Sequence, residues 1–286
     1  MSMKLPVKAY VFVMALLAGL RMAVAIAAEE QPIDVIEDNS FLIEEAYNQE
    51  PGVVQHIFTA IYTKGPPRHG WQFSFTQEWP VYGLDHQLSY TIPSYHLVDE
   101  GDHQNGIGDV LLNYRYQALE EGPGKPAFAP RFSLILPTGN RNRGTGNGVV
   151  GYQWSLPFSK KVAPRLALHV NLGLTYLPHV QSPLSGGQLS PKQSLVSYNV
   201  GGSAIFAILP RLHAMLEWVG NFEDNINDAG RAVHAFKPVI SPGFRTAVVN
   251  EEELQIVLGA AAPIALNRHA DNFGAFLYFS IEHKLF

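Results

Sequence analysis

One serine and one histidine of this sequence could carry out nucleophilic catalysis. Ser155 lies in the stretch YQWSLPF and His169 in RLALHVNLGLTY. A serine hydroxyl becomes a nucleophile when a base accepts its proton. Both residues fall on neighbouring predicted strands, where their side chains could approach one another. A serine and a histidine meet by chance in many chains of this size, so we expect no enzymatic activity and keep a lipid hydrolase as an alternative.

Three glycines spell a nucleotide-binding pattern, G-x-G-x-x-G, at Gly146, Gly148 and Gly151. A dinucleotide site needs this glycine turn to open a helix. Here the stretch VVGYQWSLPF follows, whose pattern predicts a strand. We therefore expect a loop that contains Arg141 and Arg143, and no bound cofactor.

Metal ligands are present but not in a recognisable arrangement. The chain has eleven histidines and no cysteine, which excludes thiolate sites and disulfides. His169 and His213 are expected to line the polar face of strands. Two predicted loops contain possible oxygen ligands for Ca²⁺, but neither loop has the full pattern of a calcium loop. These possible ligands are Asp99, Glu100, Asp102, Glu223, Asp224, Asn225, Asn227 and Asp228. We predict no metal site.

The N-terminus predicts export. In residues 1–28, Lys4 and Lys8 precede a short apolar run and a small-residue A-x-A site, which together are typical of a cleaved signal peptide. The net charge of −5 excludes the basic balance of a nucleic-acid-binding protein. The chain is expected to leave the cytoplasm, and it contains no later apolar run long enough for a spanning helix.

Apolar and other residues alternate along the body of the chain. In GWQFSFTQEW, Trp71, Phe73 and Phe75 share one face, and Gln72 and Ser74 the other. Period-two alternation predicts strands. The polar faces are mostly small and uncharged, and aromatic residues cluster near strand ends, as in the interfacial girdles of membrane barrels. The pattern favours an outer-membrane barrel over a soluble sandwich.

About twelve strands are predicted, and they define an all-β fold: an antiparallel transmembrane β-barrel over residues 52–286, closed by the C-terminal strand. The strands are 52–63, 70–80, 86–96, 107–118, 127–137, 148–159, 165–177, 193–208, 212–222, 232–246, 253–262 and 272–285. Long polar connections, such as LVDEGDHQNG and EDNINDAGR, alternate with short turns, as expected when the two rims face different compartments. Pro238 and Pro242 are expected to break the tenth strand.

The last strand resembles the recognition signal of bacterial outer-membrane proteins. Asn272, Gly274, Leu277 and Phe279 match its polar-x-Gly-x-x-apolar-x-apolar form, and Phe286 is the aromatic C-terminal residue. Leu277 and Phe279 share one face, whereas Phe286 falls on the other. The signal implies the outer-membrane assembly machinery and outer-membrane lipid as partners, in a Gram-negative-type bacterium.

Residues 29–51 differ from the rest of the chain, since they hold eight acidic residues and no basic one. Phe41, Leu42, Ile43 and Tyr47 make this segment more apolar than a linker needs. Four alternatives follow: a solvated periplasmic leader, a segment that sits under the barrel, a plug that enters the lumen, or a contact for a periplasmic partner.

Several stretches of residues 37–177 resemble one protein family. They include EDNSFLIEEAYNQEPGVVQHI, FSFTQEWPVYGLDHQLSYTIP, GIGDVLLNYRYQ and APRFSLILPTGNRNRGTGNGVVGYQWSLPFSK. They are similar to an outer-membrane transporter family named after the meta-pathway of phenol degradation. The resemblance implies a small barrel associated with uptake of aromatic or other hydrophobic compounds, and it carries over no binding residue.

The expected function is passage of small, aromatic or hydrophobic solutes through the barrel. A barrel of about twelve strands lies between side-chain-filled small barrels and open porins. A closed structural or adhesive barrel is the alternative. The candidate pore-lining residues have mixed charge signs; they are Glu78, Asp109, Arg115, Arg131, His169, Glu217, Lys237 and Arg245.

Overall fold

Strands form nearly all of the regular structure. A computed structural model of the chain describes residues 35–36, 38–64, 68–99, 102–184, 187–227, 229–267 and 273–285. Over these residues the strand segments are β1 (Val53–Lys64), β2 (Arg68–Pro80), β3 (His86–Asp99), β4 (Asp102–Ile107), β5 (Val110–Tyr116), β6 (Ala127–Phe128), β7 (Arg131–Leu136), β8 (Gly151–Ala163), β9 (Leu166–Val180), β10 (Gln193–Leu209), β11 (Leu212–Ile226), β12 (Ala232–Glu251), β13 (Leu254–Ala261), β14 (Ile264–Ala265) and β15 (Phe273–Lys284). A single turn of 3-10 helix spans Arg141–Arg143. No helix in the described part of the chain is long and apolar enough to cross a membrane.

These segments make a closed, twelve-stranded antiparallel barrel, as predicted. Segments β4 with β5, β6 with β7, and β13 with β14 each form one barrel strand, and every strand pairs with its sequence neighbours. The last strand, β15, then pairs with β1 from Val53↔Lys284 to Lys64↔Phe273. Because β1 pairs with both β2 and β15, the first and last barrel strands have no free edge, as the apolar core of a membrane requires.

The two faces of the barrel carry different side chains. Large apolar residues such as Phe73, Leu172 and Leu277 are exposed on the outer face, where lipid would cover them. Across the closing seam, the Phe58 ring lies 4.8 Å from that of Phe75 and 5.8 Å from that of Phe279. The inner face carries buried polar side chains of both charge signs. The alternation in the sequence therefore predicted the two faces.

Two of the predicted long loops are in fact strand hairpins. The stretch LVDEGDHQNG continues β3 and β4, which pair from Ser94↔Ile107 to Asp99↔Asp102. Likewise, the first four residues of EDNINDAGR extend β11, which pairs with β12 as far as Ile226↔Ala232. Strands that extend beyond the membrane keep their ladder of hydrogen bonds while their side chains face water. The polar composition of these stretches therefore reflects aqueous surroundings and does not indicate a loop.

The predicted break in the tenth strand is also wrong. β12 runs without interruption from Ala232 to Glu251 and contains both prolines. The carbonyl of Pro238 accepts a hydrogen bond from the backbone of Leu266, and that of Pro242 from Ala262. Each proline lacks one donor but keeps its acceptor, so strand pairing continues past it.

Candidate functional site

Three acidic residues before the first strand, Asp38, Glu44 and Glu45, lie inside the barrel. We call residues 35–50 the luminal segment, of which 35–36 and 38–50 are described. Its two ends meet at Gln55 on β1. The Gln55 Nε2 donates to Asp38 Oδ1 at 2.7 Å, and the Gln55 Oε1 accepts from Asn39 Nδ2 at 3.3 Å and from Gln49 Nε2 at 2.7 Å. The segment therefore enters and leaves at the rim where β1 begins, and its middle reaches into the lumen.

One side of the luminal segment is apolar and packs against an apolar part of the wall. Val35, Ile36 and Phe41 are buried there, with Leu42 at the margin of the cluster. The buried wall residues are Ile57, Ala167, Ile205, Ala207, Met215, Ala247, Val257, Phe276 and Tyr278. Burial of these side chains stabilises docking by the hydrophobic effect, at roughly 25 cal/mol per Å².

Glu44 forms the principal ion pair between the segment and the wall. Arg131 donates to its carboxylate through Nε, at 3.0 and 2.9 Å, and through Nη2 at 2.5 Å, and Arg115 Nη2 lies 3.2 Å away. Burial alone would raise the pKa of Glu44, but the guanidinium groups of Arg131 and then Arg115 outweigh it and lower that pKa to about 2. Such fork-to-carboxylate contacts are among the strongest hydrogen bonds in proteins.

A second pair joins Glu45 to Arg245 of β12. The Arg245 Nη1 donates to Glu45 Oε1 at 3.0 Å, and the guanidinium also donates to the backbone carbonyls of Ile36 and Asn39, at 2.5 and 3.1 Å. The Arg245 side chain is only 1% exposed. A buried charge without partners costs several kcal/mol. The luminal segment therefore compensates the burial of Arg245, and Arg245 in turn holds the segment in place.

Asp38 has neutral partners as well as a charged neighbour. Its carboxylate accepts hydrogen bonds from the Tyr278 hydroxyl at 2.6 Å and from Ser280 Oγ at 3.0 Å. Burial raises the pKa of Asp38 above its usual value, and the opposing charge of Arg245 only partly offsets that effect. Asp38 consequently binds a proton more readily inside the lumen than in water.

Two wall side chains also bind backbone N–H groups of the segment. Glu217 Oε1 accepts from the amides of Phe41 and Leu42, at 3.1 and 3.0 Å, and Ser159 Oγ accepts from that of Ala46 at 2.7 Å. Irregular backbone inside a membrane barrel needs such partners, since a buried N–H without an acceptor is costly. The wall is thus built to receive this backbone.

Ser155 and His169, which could approach one another from neighbouring predicted strands, do not meet. His169 Nδ1 lies 2.7 Å from the hydroxyl of Ser159, its cross-strand partner, whereas Ser155 is opposite Gly173 and donates to Asn171 at 3.3 Å. The two serines are four residues apart, so the register of β8 against β9 decides which one meets the histidine. Ser159 binds the luminal segment through the same oxygen, and His169 is buried.

The remaining pore-lining candidates lie at different heights. Glu78 is buried and accepts from Gln87 Nε2 at 2.9 Å. Lys237 lies towards the hairpin of β11 and β12, where its Nζ is 2.8 Å from the carboxylate of Glu223. Arg115, Arg131, His169, Glu217 and Arg245 all surround the luminal segment. The predicted list therefore contains most of the charged groups that surround the segment.

Asp109, the last candidate, organises a loop. Its carboxylate accepts hydrogen bonds from the amide of Gly139 at 2.9 Å and from the backbone and side chain of Asn147, at 2.7 and 2.9 Å. A Cβ on Gly146 would lie 2.5 Å from that carboxylate, so the first glycine of the nucleotide-like pattern is needed for this close approach. The glycine pattern leads into strand β8, as expected, and its first glycine allows the loop to pack closely against Asp109.

The predicted assembly signal lies partly within the described residues. Leu277 is exposed on the outer face and Phe279 is half-buried beside it. A Cβ on Gly274 would lie 2.8 Å from the carbonyl oxygen of Tyr62 on β1. Asn272 and Phe286 lie outside the described residues, as does the predicted signal peptide, 1–28.

Two of the loop residues considered as calcium ligands, Asp224 and Asn227, have partners within the protein. Asp224 accepts from the amide of Val196 at 3.0 Å and bonds His234, while Asn227 accepts from two amides of its own turn. Within the described ranges, no group of three or more His, Asp or Glu side chains could hold a metal ion. Glu100 and Asp228 lie outside those ranges.

A second feature of the lumen is a row of polar side chains. The row crosses seven barrel strands through direct cross-strand pairs, and its members are Gln55, Glu78, Ser89, Asn113, Ser133, Gln153 and Thr175. The sequence showed these as polar alternate positions, but only strand register aligns them. The apolar cluster that receives Phe41 lies mainly on β10 to β15, which also carry the buried polar residues Glu217, Arg245 and Ser280. The lumen thus combines a polar row with a mixed wall of apolar and polar side chains.

Fold and lumen together define a closed, antiparallel β-barrel of the outer-membrane type. The structure resembles an outer-membrane channel from Pseudomonas putida F1, with a TM-score of 0.65 and 11% identity over 87% of this chain and 99% of that chain. It also resembles the NanC porin, with a TM-score of 0.52 and 9% identity over 80% of this chain and 100% of that chain. At these identities the likeness shows the fold.

Residues 52–177 match the family described as "Putative MetA-pathway of phenol degradation". The resemblance seen in the sequence is confirmed over this range, which covers β1 to most of β9. No curated protein matches the chain. The luminal segment precedes the matched range, and Arg245 and much of the apolar wall follow it.

Proposed function

We propose that this protein is an outer-membrane channel for small, partly apolar solutes and that the luminal segment closes it. The observation that carries the proposal is the position of residues 38–49, which occupy the lumen through reversible, noncovalent contacts. Every contact described above is a hydrogen bond, an ion pair or apolar packing, so the segment can leave without breaking a covalent bond. A barrel with a purely structural role could fill its lumen with wall side chains alone and would not need a segment that can leave it.

The composition of the lumen supports the solute class. With the segment displaced, a solute would meet the hydroxyl, amide and carboxyl groups of the polar row and the apolar side chains that now surround Phe41. Pores select solutes by the groups that line them, and this lining suits a molecule with one apolar face and one polar group. The family match and the description of that family agree with an aromatic solute.

A reversible disulfide tests whether the segment closes the pore. Ser40 Oγ and Ser203 Oγ are 3.4 Å apart, one on the segment and one on β10. The chain contains no cysteine, so Ser40→Cys with Ser203→Cys introduces the only thiol pair. In planar bilayers we expect current steps from the reduced protein, silence after oxidation, and recovery with reductant. Ser203→Cys alone is the matched control and should ignore the oxidant.

A variant lacking residues 29–51 completes the test. It should conduct continuously and independently of oxidant. Heat-modifiable migration on a gel establishes that each variant is folded. Silence of both the reduced protein and the folded deletion variant would refute the channel and favour the closed structural barrel. Equal current from oxidised and reduced double-cysteine protein would show that the segment is no gate.

A further inference from the structure

The ring of Phe41 occupies a recess in the barrel wall. It stacks on Phe276 with ring centroids 5.0 Å apart and an interplanar angle of 22°, and it lies 5.4 Å from the ring of Tyr278. The floor of the recess is backbone. A Cβ on Gly259 would lie 2.3 Å from Phe41 Cζ, and one on Gly243 would lie 3.1 Å from Phe41 Cε2.

The two glycines are what make the recess deep enough for an aromatic ring. Gly243 and Gly259 lie on adjacent strands, β12 and β13, with both positions on the inner face. Any larger residue at Gly259 would fill the space that the Phe41 ring now holds. Glycine inside a strand weakens it and commonly marks a close approach of another group. Here that group is the ring.

Polar groups lie beside the recess. The Tyr278 hydroxyl and Ser280 Oγ donate to Asp38, and Gln55 Nε2 donates to the same carboxylate. All three wall side chains belong to β15 or β1, beside Phe276. If the luminal segment left, one aromatic-shaped recess and three hydrogen-bonding groups would become free together.

We propose that this recess is a binding site for a small hydroxylated aromatic solute, of the phenol class, and that Phe41 and Asp38 of the luminal segment occupy it in the closed state. The ring of the solute would replace that of Phe41 against Phe276, and its hydroxyl would replace the carboxylate of Asp38 beside Tyr278 and Ser280. Solute binding and segment docking therefore exclude one another, and solute favours the open channel. This inference deepens the proposed channel function and rests on it for its biological meaning.

The first test empties the recess in the otherwise complete chain. Phe41→Ala removes the ring, and an apolar cavity of this kind binds small aromatic molecules when nothing refills it. We expect saturable phenol binding to the refolded, detergent-solubilised variant by ligand-observed NMR, at least tenfold tighter than to the unmodified protein. Empty micelles correct for partition of phenol into detergent.

Two further variants locate the bound phenol. Adding Gly259→Ala to Phe41→Ala puts a methyl group into the recess and should abolish saturable binding. Phe73→Ala is the matched control, because it removes the same kind of ring from the exposed outer face of the barrel, and its loss should leave phenol affinity unchanged. Equal binding by Phe41→Ala with and without Gly259→Ala would overturn the assignment, as would tighter saturable binding by Phe73→Ala.

A second measurement decides the question if Phe41→Ala does not migrate as a folded barrel. In the full chain carrying only Ser40→Cys, phenol should accelerate labelling of that buried thiol by a water-soluble maleimide, saturably and at least threefold, whereas glycerol should not. No acceleration by phenol overturns the proposal. Neither measurement depends on conductance. A barrel that binds phenol but does not conduct would contradict only the proposed channel function. A barrel that conducts but does not bind phenol would contradict only the proposed binding site.

Discussion

Replacement of Glu44 by glutamine should release the luminal segment without changing its shape. Glu44→Gln keeps the side-chain volume and one acceptor but removes the charge that faces Arg131 and Arg115. Arg131 would keep its hydrogen bonds to Asn113 and Gln153, both at 3.0 Å. The barrel itself should therefore stay intact while the docked state of the segment is weakened.

The magnitude follows from the pKa of Glu44. That pKa is about 2 in the docked state against 4.5 for the unperturbed group, and each pH unit of difference corresponds to about 1.36 kcal/mol, or ~3.4 kcal/mol in all. The Glu44 side chain is 24% exposed, so solvent screening reduces this to ~2–3 kcal/mol. The ratio of released to docked segment should rise ~30- to ~150-fold.

Thiol labelling measures this ratio directly. Ser40 is 5% exposed in the docked state, so in a Ser40→Cys background a water-soluble maleimide reaches the thiol only after release. The labelling rate should increase by the factor given above in Glu44→Gln. Glu252→Gln is the matched control, because Glu252 is 92% exposed in a surface pair with Lys284, and its loss should leave the rate unchanged.

The reasoning fails if Glu44→Gln labels at the rate of the background protein. It also fails if the effects of Glu44→Gln and Arg131→Gln simply add. Two partners of one buried ion pair must be coupled, because removal of the second partner relieves the charge that the first removal left unpaired. We expect the double variant to label no faster than Arg131→Gln alone.

Three more outcomes are expected. Burial raises the pKa of Asp38 above 3.8 in the docked state. Protonation of Asp38 therefore stabilises docking as pH falls towards 3.8, and this stabilisation is complete below pH 3.8. The open fraction in bilayers should fall on mild acidification, and Asp38→Asn should make the open fraction less dependent on pH. Glu44 opposes this trend only below about pH 4.5, where its stabilising charge is progressively lost. Asp109→Ala removes a charged acceptor of three hydrogen bonds, each worth about 1.5–3 kcal/mol, and trypsin should cleave the arginine-containing loop at least tenfold faster. Ser159→Ala leaves the amide of Ala46 without its acceptor, at a cost of about 1–3 kcal/mol, and should accelerate Ser40→Cys labelling by ~5- to ~150-fold; an unchanged rate would contradict the assigned hydrogen bond.

The barrel could be predicted because its determinants are local. Alternation in stretches such as RLALHVNLGLTY sets which side chains face lipid, and each membrane strand repeats that pattern. Hairpin connections then bring neighbouring strands together without long-range choices. The predictions failed where composition conflicted with pairing: polar hairpin tips looked like loops, and Pro238 and Pro242 looked like breaks, although each proline keeps its carbonyl in the ladder.

The contacts inside the lumen depend on register and on chain reversal, which leave no local pattern. Arg115, Arg131 and Arg245 were recognisable as inward-facing charges, but nothing in their spacing names Glu44 and Glu45 as partners. A shift of four residues along β8 separates Ser155, which the sequence offered as a possible partner of His169, from Ser159, which is its partner. In the sequence, nothing distinguishes Gly243 and Gly259 from other strand glycines. Only the structure shows that the ring of Phe41 packs against both of them.

The sequence by itself determined the all-β fold, the strand count and the inward charges, because two-residue periodicity and the ban on unpaired backbone in lipid leave few alternatives. It also marked residues 29–51 as acidic and unusually apolar. Only the tertiary structure decided that the described part of this segment lies in the lumen. Closure of the barrel creates a cavity whose arginines, buried acceptors and glycine-floored recess converge from distant strands, and only that convergence compensates the cost of burying an acidic segment.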